Sequence, residues 1–275
     1  MLATLAYTPR PLANALSRCY TRLFDMMIPR LRRVAMRNLE LAGMPPVCAD
    51  EVYRSIARLL VSFARFPRIR RQNISEWIRY EGFEHFEAGL RRGKGVLFAT
   101  GHLGNWELSA YAHALLTAPM HVVVRPLDNP MIDGLVERYR ALSGNEILSK
   151  RDFVRPMLKA LAGNKAVGIL VDQNASIDEG VFVDFFGHQA CVSPCFAKLA
   201  ARTDATVIPG FAVWSGDEGR YILKFYPPVE ITGDAVADTQ RIQSALEYAI
   251  REHPGEWLWL HRRWKTRPAG EKDIY

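Results

Sequence analysis

Short apolar runs recur through the middle of the chain: Val96-Leu97-Phe98-Ala99, His121-Val122-Val123-Val124, Ala166-Val167-Gly168-Ile169-Leu170-Val171, and segments 205–214 and 220–226. Stretches with helical periodicity separate them. This alternation constrains the fold most, because four to six apolar residues are too few for a helix but suit a strand buried on both faces. Helices are expected over 106–116, 131–142, 152–162, after Pro194, and over 239–252 before Pro254. Gly and Asp residues between 172 and 190 suggest a long functional loop. The order predicts an α/β fold, a mixed sheet core flanked by helices, preceded by a helical basic N-terminal region. With 275 residues, 49% of them hydrophobic, the chain can bury one sizeable core. Residues 1–80 read as the helical, Arg-rich region and 81–275 as the α/β core.

Residues 10 to 67 are helical in pattern. Pro29 interrupts them, and Pro45-Pro46 forms a loop before a helix with Val52, Ile56, Leu59, Leu60 and Phe63 on its apolar face. Residues 1–80 hold fourteen Arg, no Lys and five acids, a balance of +9, whereas the whole chain is +7. All the excess positive charge therefore lies in this region. Leu12, Leu16, Tyr20, Leu23 and Met27 form an apolar stripe with Arg18 and Arg22 off it. Such a helix fits an anionic membrane surface, where each basic residue adds about 1 kcal/mol, or it packs on the core. No run reaches the 18 or so apolar residues of a membrane-spanning helix, so contact with a membrane is expected from one side. Nucleic acid is not expected as a partner, because the arginines lie on helical patterns with apolar faces and no nucleic-acid module is present.

The stretch His102-Leu103-Gly104-Asn105-Trp106-Glu107 lies where an apolar run meets the turn Thr100-Gly101. Two helical residues five apart diverge by roughly 140°, so the pattern is a loop histidine and a first-turn glutamate rather than a zinc-binding helix face. A carboxylate on one ring nitrogen fixes the tautomer and frees the other nitrogen to accept a proton from a hydroxyl. The same residues also fit a histidine capping a helix and a solvated acid at its positive end. Cys19, Cys48, Cys191 and Cys195 lack paired zinc spacing and read as buried free thiols in a reducing compartment. His188 and His261 read as structural or surface residues, no metal is expected, and the serines lack a Gly-x-Ser-x-Gly elbow.

With Asn105-Trp106 inside it, the His-x4-Glu stretch resembles the signature of the bacterial lipid A biosynthesis (lauroyl/myristoyl) acyltransferases. Similar blocks recur in order: Arg32 to Glu40; Arg125-Pro126-Leu127-Asp128-Asn129-Pro130; Asp172-Gln173, then Gly180 to Gly187; and Trp257 to Lys265. The chain departs from the family in having Asn174 where Asp is usual, Asp184 where Pro is usual, and no N-terminal membrane span. The resemblance implies acyl transfer from an acyl carrier protein or coenzyme A thioester to a hydroxyl of a lipid A precursor or a related glycolipid or aminolipid. The implied setting is peripheral, at the cytoplasmic face of a bacterial inner membrane, with no cofactor beyond the thioester co-substrate. His102 would be the base and Glu107 its orienting partner. Arg125 would meet the oxyanion or an acceptor phosphate, Asp172 would orient Arg125 or hold an acceptor hydroxyl, and Asn105 and Gln173 would join them in binding substrate.

Acyl transfer needs oxyanion donors and room for a chain. Val181 to Phe186 could wall that chain or be plain core. The tryptophans near 257–264 are expected to pack in the core, with Arg262, Arg263, Lys265 and Arg267 facing acceptor phosphates or acyl carrier protein. Two other readings remain: hydrolysis of acyl thioesters with water as acceptor, or lipid binding without turnover.

Overall fold

A computed structural model describes residues 1–124, 127, 129–149 and 153–275. Four helices lead: α1 (Leu2–Tyr7), α2 (Arg10–Met27), α3 (Pro29–Leu41) and α4 (Cys48–Ala64). Pro29 stands at the first position of α3, where its missing N–H costs nothing, so the expected interruption is a direct helix-to-helix corner. The alternating part follows as β1 (Ile78–Glu81), α5 (Phe83–Arg91), β2 (Val96–Thr100), α6 (Trp106–Leu116), β3 (His121–Val124), α7 (Pro130–Ala141), β4 (Glu146–Ser149), α8 (Val154–Ala162) and β5 (Ala166–Leu170). A hairpin, β6 (Val181–Phe185) and β7 (His188–Val192), precedes α9 (Cys195–Thr203), β8 (Thr206–Ser215), β9 (Arg220–Phe225) and α10 (Ala235–Glu252).

Seven strands form one sheet in the order β1-β9-β8-β2-β5-β3-β4, parallel throughout except between β8 and β9. The mixed α/β architecture matches the expectation from the apolar runs. From β2 the chain skips a position to β3, and β5 later fills the gap. The carboxyl ends of β2 and β5 thus become neighbours at a place where connections diverge, the usual position for a site in an open α/β sheet. Their register runs from Val96 opposite Ala166 to Thr100 opposite Leu170. Continued two residues, it brings 102 opposite 172.

The segment read as a loop between 172 and 190 contains β6 and the first part of β7, and Phe185 is fully buried against Trp257 and Trp264. Val181 to Phe186 form the first strand and turn of a hairpin, with Val183, Phe185 and Phe186 in the core. All four cysteines are free, but only Cys48 and Cys191 are buried. Helices α3 and α4 share an apolar cluster with Phe185, Phe211 and the three C-terminal tryptophans. Helix α2 packs on α4 through small residues, Ala13, Ser17 and Thr21, and Ser17 Oγ donates to Ala57 O at 2.9 Å. Its apolar stripe divides: Leu16 and Tyr20, half-buried, pack against the cluster of Leu5, Ala13 and Val61, whereas Leu12, Leu23 and Met27 are exposed.

Candidate active site

His102 stands two residues past β2 on a loop that other segments hold on both sides. Gly104 N–H donates to Glu256 O at 3.0 Å, Asn105 N–H to Ala212 O at 2.8 Å, and Leu258 N–H to His102 O at 2.9 Å. Gly104 has φ +66°, and a Cβ there would lie 2.0 Å from Ala212 O, so this approach requires glycine. Asn105 caps α6, its Oδ1 accepting from Leu108 N–H at 3.0 Å while its Nδ2 donates to Ser62 Oγ at 2.7 Å. That side chain is fully buried and its amide is occupied, so the structure gives Asn105 a scaffold role in place of the expected substrate contact.

The carboxylate at the His102 ring is Asp172. Its Oδ1 lies 2.9 Å from Nδ1, and its Oδ2 accepts from the His102 backbone N–H at 2.7 Å and from Trp257 Nε1 at 2.9 Å. Asp172 is fully buried. Burial alone would raise its pKa, but the imidazole beside it and the converging donors hold the carboxyl well below the usual range. An ionised carboxylate only accepts, so Nδ1 carries the proton and Nε2 the lone pair. For His102, burial disfavours the imidazolium, yet Asp172 outweighs it, Glu107 adds to it, and the pKa lies above the ordinary imidazole value.

Glu107 does not touch His102. It forms a two-point ion pair with Arg140, Nε to Oε2 at 2.9 Å and Nη2 to Oε1 at 2.5 Å, tying α6 to α7. The reason is directional. The His102 Nδ1 edge points across the β2–β5 seam, whereas Glu107, in the first turn of α6, points to α7. Arg140 carries no mark in the sequence beyond its place in a helical stretch, and it was missed. Arg125 lies outside the described residues. Gln173 is exposed. Asn174 ties its loop to Thr266, with Nδ2 to Oγ1 at 2.9 Å, and Asp184 Oδ1 accepts from Gly187 N–H in the hairpin turn.

On the α6 side of the sheet is a cavity of about 70 Å³, partly open to solvent. Trp106, which meets the His102 ring at 4.9 Å between centroids, lines it together with Glu107 and Arg140. The remaining wall is mostly apolar, with Phe98, Met120, Val122, Leu223 and Phe225 around Gly168 and Gly210. His113, also in the wall, meets Tyr80 Oη at 2.9 Å through Nδ1; burial lowers its pKa to about 4, so it is neutral at physiological pH. Among the described residues, no group of three or more His, Cys, Asp or Glu is placed to hold a metal ion.

The C-terminal basics do not form one face. Arg263 is fully buried, with Nη1 donating to Cys191 O at 3.2 Å, Nη2 to Gln243 Oε1 at 3.0 Å, and the guanidinium 4.8 Å from the Phe185 ring centre. Gln243 Nε2 in turn donates to Val171 O at 2.8 Å, next to Asp172. Burial lowers the Arg263 pKa to about 10, which leaves it charged at neutral pH. The expected surface contact with phosphates or a carrier protein therefore does not apply to Arg263, while Arg262 and Lys265 remain exposed.

Residues 1–266 match the bacterial lipid A biosynthesis acyltransferase family. The chain is similar to the lipid A biosynthesis lauroyltransferase of Escherichia coli K12, 28% identical over 97% of this chain and 90% of that protein. A lipid A biosynthesis acyltransferase of Haemophilus influenzae is 24% identical over 82% of this chain and 71% of its own length. The phosphatidylinositol mannoside acyltransferase of Mycolicibacterium smegmatis is 27% identical over 86% and 80% respectively.

Proposed function

Because the chain belongs to the bacterial lipid A biosynthesis acyltransferase family, we propose that this O-acyltransferase moves a fatty acyl group from an acyl carrier protein or coenzyme A thioester to a hydroxyl of a membrane glycolipid, with the His102–Asp172 pair as its base. That pair is the observation that carries the reading. His102 Nε2 takes the proton of the acceptor hydroxyl as the oxygen attacks the thioester carbonyl. Collapse of the tetrahedral oxyanion breaks the C–S bond, and the imidazolium returns the proton to the departing thiolate. Arg140 supports the oxyanion: its Nε and Nη2 are committed to Glu107, and among the described residues Nη1 stays available for a developing negative charge. Glu107 sets that guanidinium and adds negative field at His102. No helix among the described residues is long and apolar enough to cross a membrane, and we place the enzyme peripherally on the cytoplasmic leaflet, held by anionic lipid.

The acyl chain occupies the cavity beneath α6. Each buried methylene is worth about 0.8 kcal/mol, roughly fourfold in binding. Gly168 lines this space, and a Cβ there would lie 2.8 Å from Met120 Cε, the movable end of a flexible side chain. Gly168→Leu should therefore shorten the preferred chain by two or more methylenes and lower use of the longest donor about fifteenfold or more. Competition among thioesters of graded length measures this; an unchanged length profile places the chain elsewhere.

The reaction itself is tested by product mass spectrometry, with the purified protein, both classes of thioester and a total lipid extract from the source cells. A lipid heavier by one acyl group supports transfer and identifies the acceptor. Free fatty acid alone, with every lipid unchanged, overturns transfer in favour of hydrolysis.

A further inference from the structure

The corner between α2 and α3 reverses the usual arrangement of an amphipathic helix. Small residues of α2 face the protein together with Leu16 and Tyr20, whereas Leu12, Leu23, Phe24, Met26 and Met27 face outward. Phe24 is 45% exposed, Met26 77% and Met27 79%. Side chains this exposed protrude rather than line a groove. The same two helices carry Arg22, Arg30 and Arg33, all exposed. Among the described residues none of the three lies within 4 Å of a carboxylate, whereas the nearby acids Asp25 and Asp50 are both taken by Arg32. Exposed apolar side chains and unneutralised guanidinium groups on the same helix pair match a surface that is oily within and anionic at its face.

We infer that this corner is a docking surface for an anionic lipid bilayer: Phe24, Met26 and Met27 enter the interfacial layer, and Arg22, Arg30 and Arg33 meet lipid phosphates. This deepens the reading of a membrane-lipid acceptor and rests on it. An acidic protein would satisfy the arginines but would need a pocket for three protruding apolar chains, whereas a bilayer accepts them without a preformed shape. Exposed methionine and phenylalanine suit such a fluid partner.

Point substitutions test this better than truncation, because Leu5, Ala6 and Ala13 are core residues. Two triple variants, Phe24→Ser/Met26→Ser/Met27→Ser and Arg22→Gln/Arg30→Gln/Arg33→Gln, are compared with wild type by sedimentation with phosphatidylcholine vesicles, with and without phosphatidylglycerol. Wild type should bind the anionic vesicles, more weakly as salt rises. The arginine variant should lose about a hundredfold in partition, at about fivefold per residue, and the apolar variant at least tenfold. Both should keep the wild-type circular dichroism spectrum and acylate a detergent-dispersed acceptor at the wild-type rate. Wild-type vesicle binding by either variant overturns the inference. So does a wild type that ignores anionic vesicles, or a corner whose substitution only dissolves a dimer of this chain. Corner-dependent vesicle binding in a protein that transfers no acyl group would sink the catalytic reading and leave this one standing; transfer in detergent without corner-dependent binding would do the reverse.

Discussion

His102→Ala should lower acyl transfer by about 10³-fold, within the 10²- to 10⁴-fold range typical of a general base, while leaving the fold intact. The loss should fall on kcat, because the ring acts on the acceptor's proton and not on the acyl chain in the cavity beneath α6. What anchors the loop is largely main chain, Gly104 N–H to Glu256 O, Asn105 N–H to Ala212 O and Leu258 N–H to His102 O, and alanine preserves all three. The thermal midpoint should therefore stay within a few degrees of wild type. Turnover above a tenth of the wild-type rate, in a variant that melts normally, would remove His102 from the mechanism.

Asp172→Asn should cost a comparable factor, about 10³- to 10⁴-fold, for a different reason. Three donors converge on this carboxylate: His102 Nδ1–H, His102 N–H and Trp257 Nε1–H. Asparagine offers one acceptor oxygen and a donor NH₂ group. With its oxygen kept on the backbone amide and the indole, its NH₂ faces Nδ1, which must then accept. The ring proton moves to Nε2, and the base is lost. The pH dependence shifts with a definite sign. With His102 as the base, activity requires neutral imidazole and should rise with pH through a His102 pKa that Asp172 holds above the ordinary value. Without that charge, burial, the largest effect on the ring, outweighs Glu107, the pKa falls, and the acid limb moves to lower pH while the plateau drops. A pH–rate profile of kcat/KM reads both effects. An acid limb that stays in place in the asparagine variant would show that Asp172 does not set the ionisation of His102.

Both members of this pair are legible in the sequence as residues closing apolar runs, but their pairing is not. Glu107 is nearer along the chain, whereas Asp172 is nearer through the register of β2 on β5, which no local pattern encodes. The strands that escaped notice have physical reasons for doing so. β1, Ile-Arg-Tyr-Glu, and β4, Glu-Ile-Leu-Ser, are the two edges of the sheet, where short strands and charged residues discourage pairing with other chains and erase the apolar signature. The hairpin hid behind its turn. Phe186 and Gly187 both take positive φ, 56° and 76°, as a two-residue hairpin connection requires, yet phenylalanine is not a turn residue by composition. Arg263 was misplaced because a charge in a Trp-rich segment suggests an interface, and only the folded chain reveals the carbonyl, amide and ring that receive it.

The connections from residues 256–258 carry a consequence for how the enzyme comes into being during translation. Trp257 supplies one of the three donors to Asp172, and Glu256 O and Leu258 N–H brace the loop of His102. These residues follow every strand of the sheet in chain order. A nascent chain that has emerged only as far as β9 can pair all its strands while Asp172 lacks its indole and the His102 loop lacks two of its main-chain braces, keeping Asn105 N–H on Ala212 O and His102 N–H on Asp172. The bonds that complete the His102–Asp172 pair are thus made last, so a polypeptide stalled on the ribosome before residue 257 holds both residues of the proposed base without the indole and main-chain braces that fix them.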